Sequence, residues 1–240
     1  MPGMLCLTYD DLFVDQWLSA RRLFDAFDAR VTFCVARLHE ATPEQMTGLK
    51  VLQADGHEIG FHTRTHPRLL PYLARHGLEH WLKHEIDDGI EEHRAAGFPA
   101  TSFACPYHAS TGRMRAACAT RFAVIRAAGP RRVDRTNAAQ RIYHRPGPSR
   151  SVDNIGYGDV QHARFPGWTW HSELLDRIAE SGGTGVFTGH GIRPDRDGPG
   201  FYTAHNQLRR FLRSATERGL AFQTLTEFAT AEEGPLDGRR

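Results

Sequence analysis

The chain has 240 residues, 40% of them hydrophobic and 24% charged, enough for one large domain or two small ones with an ordinary core. A formal net charge of +2 excludes a strong general field for nucleic acid or an anionic membrane. No apolar run approaches the ~20 residues of a membrane helix and no secretory leader opens the sequence, so a soluble, cytoplasmic protein is expected. Four cysteines, Cys6, Cys34, Cys105 and Cys118, form no Cys-x-x-Cys pair and read as buried thiols.

In chain order, residues 5–9 form a short apolar run that ends on two acids, Asp10 and Asp11. Trp17, Ala20, Phe24 and Phe27 make a helical stripe, so one helix is expected over 17–30. Residues 31–35 are β-branched and aromatic and read as a strand. Thr42-Pro43-Glu44-Gln45 is a helix start with Pro at the first helical position, and Gly56 stops that helix. Residues 58–61 form a third strand that runs into His62 and His66, and Pro67 biases His66 away from helical angles, so the pair sits on a loop.

Leu78, Trp81, Leu82, Ile86 and Ile90 give the clearest helical stripe. Strands follow at 101–105 and 122–126, with a short helix at 113–119 between them. Residues 129–158 are rich in Arg, Pro and Gly and read as irregular, with a strand at 141–144. A helix at 172–181, a strand at 184–188 leading to His190, a helix at 204–217 and a last strand at 221–225 complete the domain. The domain is set at 1–231, with 232–240 as a frayed tail. Strands alternating with helices imply parallel βαβ units, and seven or eight such units favour a barrel over an open doubly wound sheet. No Gly-x-Gly-x-x-Gly follows the first strand, which argues against a dinucleotide site.

The titratable candidates are not scattered over this pattern. Asp10 and Asp11, His62 and His66, Tyr107 and His190 all lie just past the C-terminal ends of predicted strands, where barrels build active sites. One carboxylate and two imidazoles suit a borderline divalent metal such as zinc, and three protein ligands leave a position for water. The second acid is then available as a base. Two histidines with a carboxylate can also hold oxygenase iron, although that chemistry normally goes with strand-rich patterning.

These residues resemble the motifs of the polysaccharide deacetylases of NodB homology, carbohydrate esterase family 4. Thr8-Tyr9-Asp10-Asp11 is similar to the first motif, His62 to Pro67 to the second, Ala104-Cys105-Pro106-Tyr107 to the third, and Thr188-Gly189-His190 to the last. The resemblance implies a distorted (β/α)7–8 barrel and metal-dependent removal of an N-acetyl group from a sugar-like substrate. It implies Asp10 as base, Asp11, His62 and His66 as ligands of a divalent metal such as Zn2+, His190 as general acid, and the Tyr107 N–H as an oxyanion donor.

The sequence departs from the family pattern at one point: Ala104 stands where the family has an arginine that pairs with the base. Arg126 or Arg145 could replace it in space, the substrate could supply the missing group, or the chain could be a metal-binding pseudoenzyme or carbohydrate-recognition protein. Deformylation of an amino sugar is a further alternative. Asp134, Asp153 and Asp159 are the candidates to orient His190. Arg131, Arg132, Arg135, Arg141, Arg145 and Arg150 crowd the irregular segment, which suggests either a solvated loop or an anionic small-molecule or glycan substrate.

Overall fold

The computed structural model describes residues 2–127, 138–147, 150–156, 168–194 and 200–231. The strands and helices of the first half are β1 (Met4–Asp11), α1 (Val14–Ser19), α2 (Arg21–Asp25), β2 (Val31–Val35), α3 (Pro43–Ala54), β3 (Glu58–Phe61), α4 (Leu69–Trp81), α5 (Asp88–Ala95), β4 (Ser102–Ala104), α6 (Gly112–Cys118) and β5 (Val124–Ala127). The second half adds β6 (Ile142–Tyr143), β7 (Ser151–Asp153), β8 (Ile155–Gly156), α7 (Trp168–Ser181), β9 (Thr184–Gly189), β10 (Gly191–Arg193), β11 (Tyr202–Ala204), α8 (His205–Thr216), β12 (Ala221–Phe222) and α9 (Leu225–Thr230).

The main sheet runs β9-β1-β2-β3-β4-β5-β7, all parallel. It closes through one short stretch of chain. β7 pairs with β5, and two residues later β8 pairs in parallel with β9, so residues 151–156 join the two edges. The expected distorted barrel is therefore the observed fold, nearly closed, with no long open edge among the described residues.

Parity along the strands separates two environments. Leu5, Leu7, Tyr9, Val31, Phe33, Val35 and Phe187 face outward and pack under the helices with Trp17, Phe24, Leu49 and Phe211. Phe61, Phe103 and Ile125 do the same beneath Trp81, Ile86, Ile90 and Met114. Even-numbered positions point into the lumen, where Cys6, Cys34, Ala104, Val124, Val152 and Val186 meet Leu225 and Phe228 of α9. A strand covered on both faces reads as a continuous apolar run, which is why β1 looks so in the sequence. All four cysteines are free and buried.

The lumen has a plugged end and a polar end. At the plugged end Thr32 Oγ1 accepts the Leu225 N–H at 2.9 Å and Glu58 accepts Thr226 N–H at 3.1 Å, so the start of α9 is bonded into the barrel floor. At the other end β1 and β9 deliver Asp10 and Thr188.

Several expectations are corrected. The single helix over 17–30 is two short ones that meet at Ala20. The stripe from Leu78 to Ile90 belongs to a longer helical rod interrupted by Gly77 (φ 79°) and by a π-helical turn at Leu82–Asp87. β7 and β8 lie in the segment read as irregular, and the last strand is only Ala221–Phe222, followed by Thr224 capping α9. The capping box at Thr42–Gln45 forms as expected. The tail at 232–240 lies outside the described residues.

Candidate metal centre

At the polar end of the barrel, β1 ends on Asp10, which is buried, and Asp11, whose φ of 79° turns its side chain toward the loop after β3. That loop is itself unusual, because Thr63 (φ 67°) and His66 (φ 58°) both take left-handed angles. For a β-branched residue such as Thr63 this is costly, and such strain clusters at functional sites. The neighbouring helical rod holds the loop in place. Glu85, in the π-helical turn, accepts Thr65 N–H at 2.8 Å and Thr65 Oγ1–H at 2.7 Å, and its carbonyl accepts Arg64 N–H at 3.1 Å.

The loop brings His66 Nε2 to 3.1 Å from His62 Nε2 and 3.4 Å from Asp11 Oδ1. One ligand atom from each of Asp11, His62 and His66 lies within 4.8 Å of the others. His62 Nδ1 donates to the Ala104 carbonyl at 2.7 Å. Its proton is thereby on Nδ1, and the Nε2 lone pair faces the cluster, the usual arrangement for a ligating histidine. Burial lowers His62 to a pKa of about 3 and also lowers His66, so both are neutral at pH 7. Asp11 Oδ1 is buried and accepts no hydrogen bond. An orphaned carboxylate oxygen beside two imidazole lone pairs fits a divalent cation. Donors about 2.0–2.1 Å from a tetrahedral zinc would stand ~3.3 Å apart; the two separations from His66 are close to that, and His62 Nε2 to Asp11 Oδ1 is longer, at 3.9 Å.

Asp10 has a different partner. Arg126 Nη2 donates to both of its oxygens, at 2.5 and 2.6 Å, and neither side chain is exposed to solvent. Burial alone would raise the Asp10 carboxyl, but Arg126, with His62 and His190 behind it, overrides this and holds it well below the usual carboxylate range. Arg126 pairs in register with Ala104 across β4 and β5. The guanidinium missing from position 104 thus comes from the neighbouring strand, through space that an alanine leaves open. Of the two arginines considered, Arg126 fills the place, whereas Arg145 is exposed at the surface.

A polar network extends from this pair. Arg126 Nη1 donates to Thr188 Oγ1 at 2.7 Å, and so does Asn154 Nδ2 at 2.8 Å. Thr8 Oγ1, 3.0 Å from Thr188 Oγ1, donates to the Phe187 carbonyl. Asn154 Nδ2 also donates to His108 Nδ1 at 3.1 Å. Sequence reasoning assigned no role to His108, Asn154, Thr188 or Glu85. Asn154 lies in the segment taken as irregular, and no local signal marks it.

Although burial leaves Asp11 raised from its ordinary value, His190 lies close enough to act electrostatically on both Asp10 and Asp11. Its carbonyl accepts the Trp17 indole N–H at 2.8 Å. Its flanking glycines sit in tight space: a Cβ at Gly189 would stand 3.1 Å from the Tyr9 ring, and one at Gly191 would displace the end of the Gln16 side chain. Tyr107 is 54% exposed and so belongs to the mouth of the site rather than to the core. Its ring lies 4.7 Å from that of His66, with Arg68 5.0 Å from its centroid. Asp153 is at the surface, 3.9 Å from Arg141, while Asp134 and Asp159 lie outside the described residues. Arg141 and Arg150 donate to the carbonyls of Asn154 and Phe122, and Arg131, Arg132 and Arg135 also lie outside the described residues.

The chain was compared with known proteins. The profile of the Polysaccharide deacetylase family matches residues 2–121. No curated protein matches. Among solved structures, a putative polysaccharide deacetylase from Mycobacterium smegmatis superposes with a TM-score of 0.61 at 15% identity, covering 95% of this chain and 90% of that one. A family 4 acetyl xylan esterase from Clostridium thermocellum, in complex with a cobalt ion, gives 0.58 at 18% identity, with 95% and 90% covered. A family 4 carbohydrate esterase from Streptomyces lividans, in complex with acetate, gives 0.56 at 17% identity, with 92% of each chain covered. The chain belongs to the polysaccharide deacetylase family.

Proposed function

We propose that this polysaccharide deacetylase family member is a metal-dependent amidohydrolase that removes the acetyl group from an N-acetylated sugar. Asp11, His62 and His66 would hold a divalent cation, and zinc suits one carboxylate with two imidazoles. When bound, that cation would polarise the acyl oxygen and acidify a water at the site. Asp10, ionised and oriented by Arg126, accepts the proton as that water attacks the acyl carbon. The tetrahedral oxyanion is met by the Tyr107 N–H, because the turn's own hydrogen bonds run from His108 and Ala109 to the carbonyls of Cys105 and Pro106. His190 protonates the departing nitrogen, since an amine leaves only after it gains a proton. Tyr107, on the rim, offers a ring face to a sugar.

The observation that carries this reading is the juxtaposition at the barrel mouth: an unsatisfied Asp11 oxygen with two imidazole lone pairs, beside a carboxylate clamped by a buried arginine. The presence of Arg126 also weighs against the pseudoenzyme alternative, whose main support was the missing arginine. The test is acetate release from N-acetylglucosamine oligomers by protein loaded with zinc or cobalt, against chelator-stripped protein, with formate measured in parallel on N-formyl amino sugars. Asp10→Asn should lower turnover about 10²–10⁴-fold, the usual loss for a general base. Full activity in Asp10→Asn, or no acyl release by the loaded protein, would overturn the assignment.

A further inference from the structure

We propose that the exposed face of the α4–α5 rod carries a second binding site for a borderline divalent transition ion, with His80 and His84 as its ligands. The site shares no residue with the metal centre and does not depend on the proposed catalytic function.

Tyr72, His76, His80, His84 and Asp88 recur at intervals of four and lie along one side of the rod. His76, His80 and His84 are all exposed. Their rings lie against one another in sequence, stacked with centroids 5.0 Å apart for His76 and His80, and tilted by 50° with centroids 4.2 Å apart for His80 and His84. Solvated histidines give a helix nothing through burial and are only middling helix formers, so packing does not account for three of them in a row. If all three were protonated they would repel one another. His80 is lowered from its ordinary value, by burial first and then by His84 and His76. A neutral imidazole keeps a lone pair, and two imidazoles one turn apart on a helix chelate zinc, nickel or copper.

The surroundings fit an open, two-ligand site. His80 Nδ1 lies 3.1 Å from Tyr72 Oη; with Nδ1–H donating to that oxygen, Nε2 keeps its lone pair for an ion. His84 Nδ1 is 3.1 Å from Asp88 Oδ2, a carboxylate that steadies a ligating histidine from behind. Lys83 Nζ holds the other oxygen of Asp88 at 2.6 Å, so Asp88 supports the ring and is not itself a ligand. His76 sits beyond the Gly77 kink at the edge of the pair. Of the remaining charged side chains on this stretch, Arg75 and Glu79 are exposed, Glu85 turns inward to Thr65, and Asp87 pairs with Arg121 at 2.6 Å. Water completes the coordination, so this ion exchanges faster than one in an enclosed centre.

The experiment is equilibrium dialysis of chelator-stripped protein against Ni2+ alone, reading bound equivalents per chain. The wild type, His80→Ala/His84→Ala, His62→Ala/His66→Ala and the four-residue variant are compared, with circular dichroism to confirm folding. Removing His80 and His84 should abolish one equivalent in the wild type and again in the His62→Ala/His66→Ala background, while acetate release by the zinc-loaded protein stays unchanged. Unaltered stoichiometry in both backgrounds would overturn the proposal. His80 and His84 are exposed, so their removal does not confound the result through loss of fold, and the comparison in the wild type stands by itself if loss of the buried His62 unfolds the other background. Failure of the central centre to bind nickel leaves the difference between backgrounds readable.

Discussion

The arginine at position 126 shows how one side chain can be supplied from a neighbouring strand. Positions 104 and 126 are partners across β4 and β5 and face the same lumen, so a guanidinium from either can reach Asp10. Breaking such a buried pair by removing one member typically costs about 3–5 kcal/mol, because the other charge is left unpaired. Arg126→Ala should therefore lower the unfolding midpoint. It should also move the acidic limb of the kcat/KM–pH profile upward, since burial, which raises Asp10, is then unopposed. Ala104→Arg placed on Arg126→Ala should recover part of both losses. If the limb stays where it is in Arg126→Ala, the pairing does not set the ionisation of Asp10. Lysine at 126 should rescue poorly, because a point charge cannot reproduce a planar fork that serves Asp10 and Thr188 together.

The helical rod is the element that makes the metal loop possible. A π-helical turn adds a residue to the helix and here rotates Glu85 inward, where both carboxylate oxygens are used by Thr65. Thr63 and His66 hold left-handed angles only while something outside the loop over-determines them. Glu85→Ala should weaken zinc binding about 10–100-fold, the usual cost of losing an outer-shell partner, with Glu85→Gln partly restoring it. The absorption of the cobalt form would report the changed ligand field directly. Affinity and spectrum both unchanged in Glu85→Ala would show that the loop needs no such support. The sequence made the candidate ligands visible at this scale and hid what holds them. His62 and His66 stand together before Pro67, whereas Glu85 lies nineteen residues further on, in a stripe that looks like ordinary amphipathic helix.

Across the whole molecule, stability should depend on acid through histidines far from the site. His57 packs edge-on to Phe24 and Phe33, and His93 to Phe61. Burial lowers each to about 4. The unfolded chain takes up protons near the ordinary value of about 6.5, so these groups cost nothing above it, and stability falls as pH drops from there toward 4. The loss is at most about 1.4 kcal/mol per pH unit for each histidine. Denaturant midpoints at pH 7.5 and pH 5 should differ in that direction, and His93→Phe should flatten the dependence. A midpoint that is flat or rises on acidification would contradict the burial of these rings.

The sequence by itself determined the fold class and named most of the residues of the candidate site. Strand ends are local events: an apolar run, a change of period and the polar residue that follows are all contiguous, so Asp10, Asp11, His62, His66 and His190 could be placed at one end of a barrel from their positions alone. Tertiary structure decided the rest. It chose Arg126 to face Asp10, brought Asn154 beneath Thr188, used residues 151–156 to close the sheet, and set α9 across the floor. Each of these is a pairing between residues distant along the chain. Such pairings are selected by register and by the space a neighbouring side chain leaves open, and neither quantity is written in any single segment.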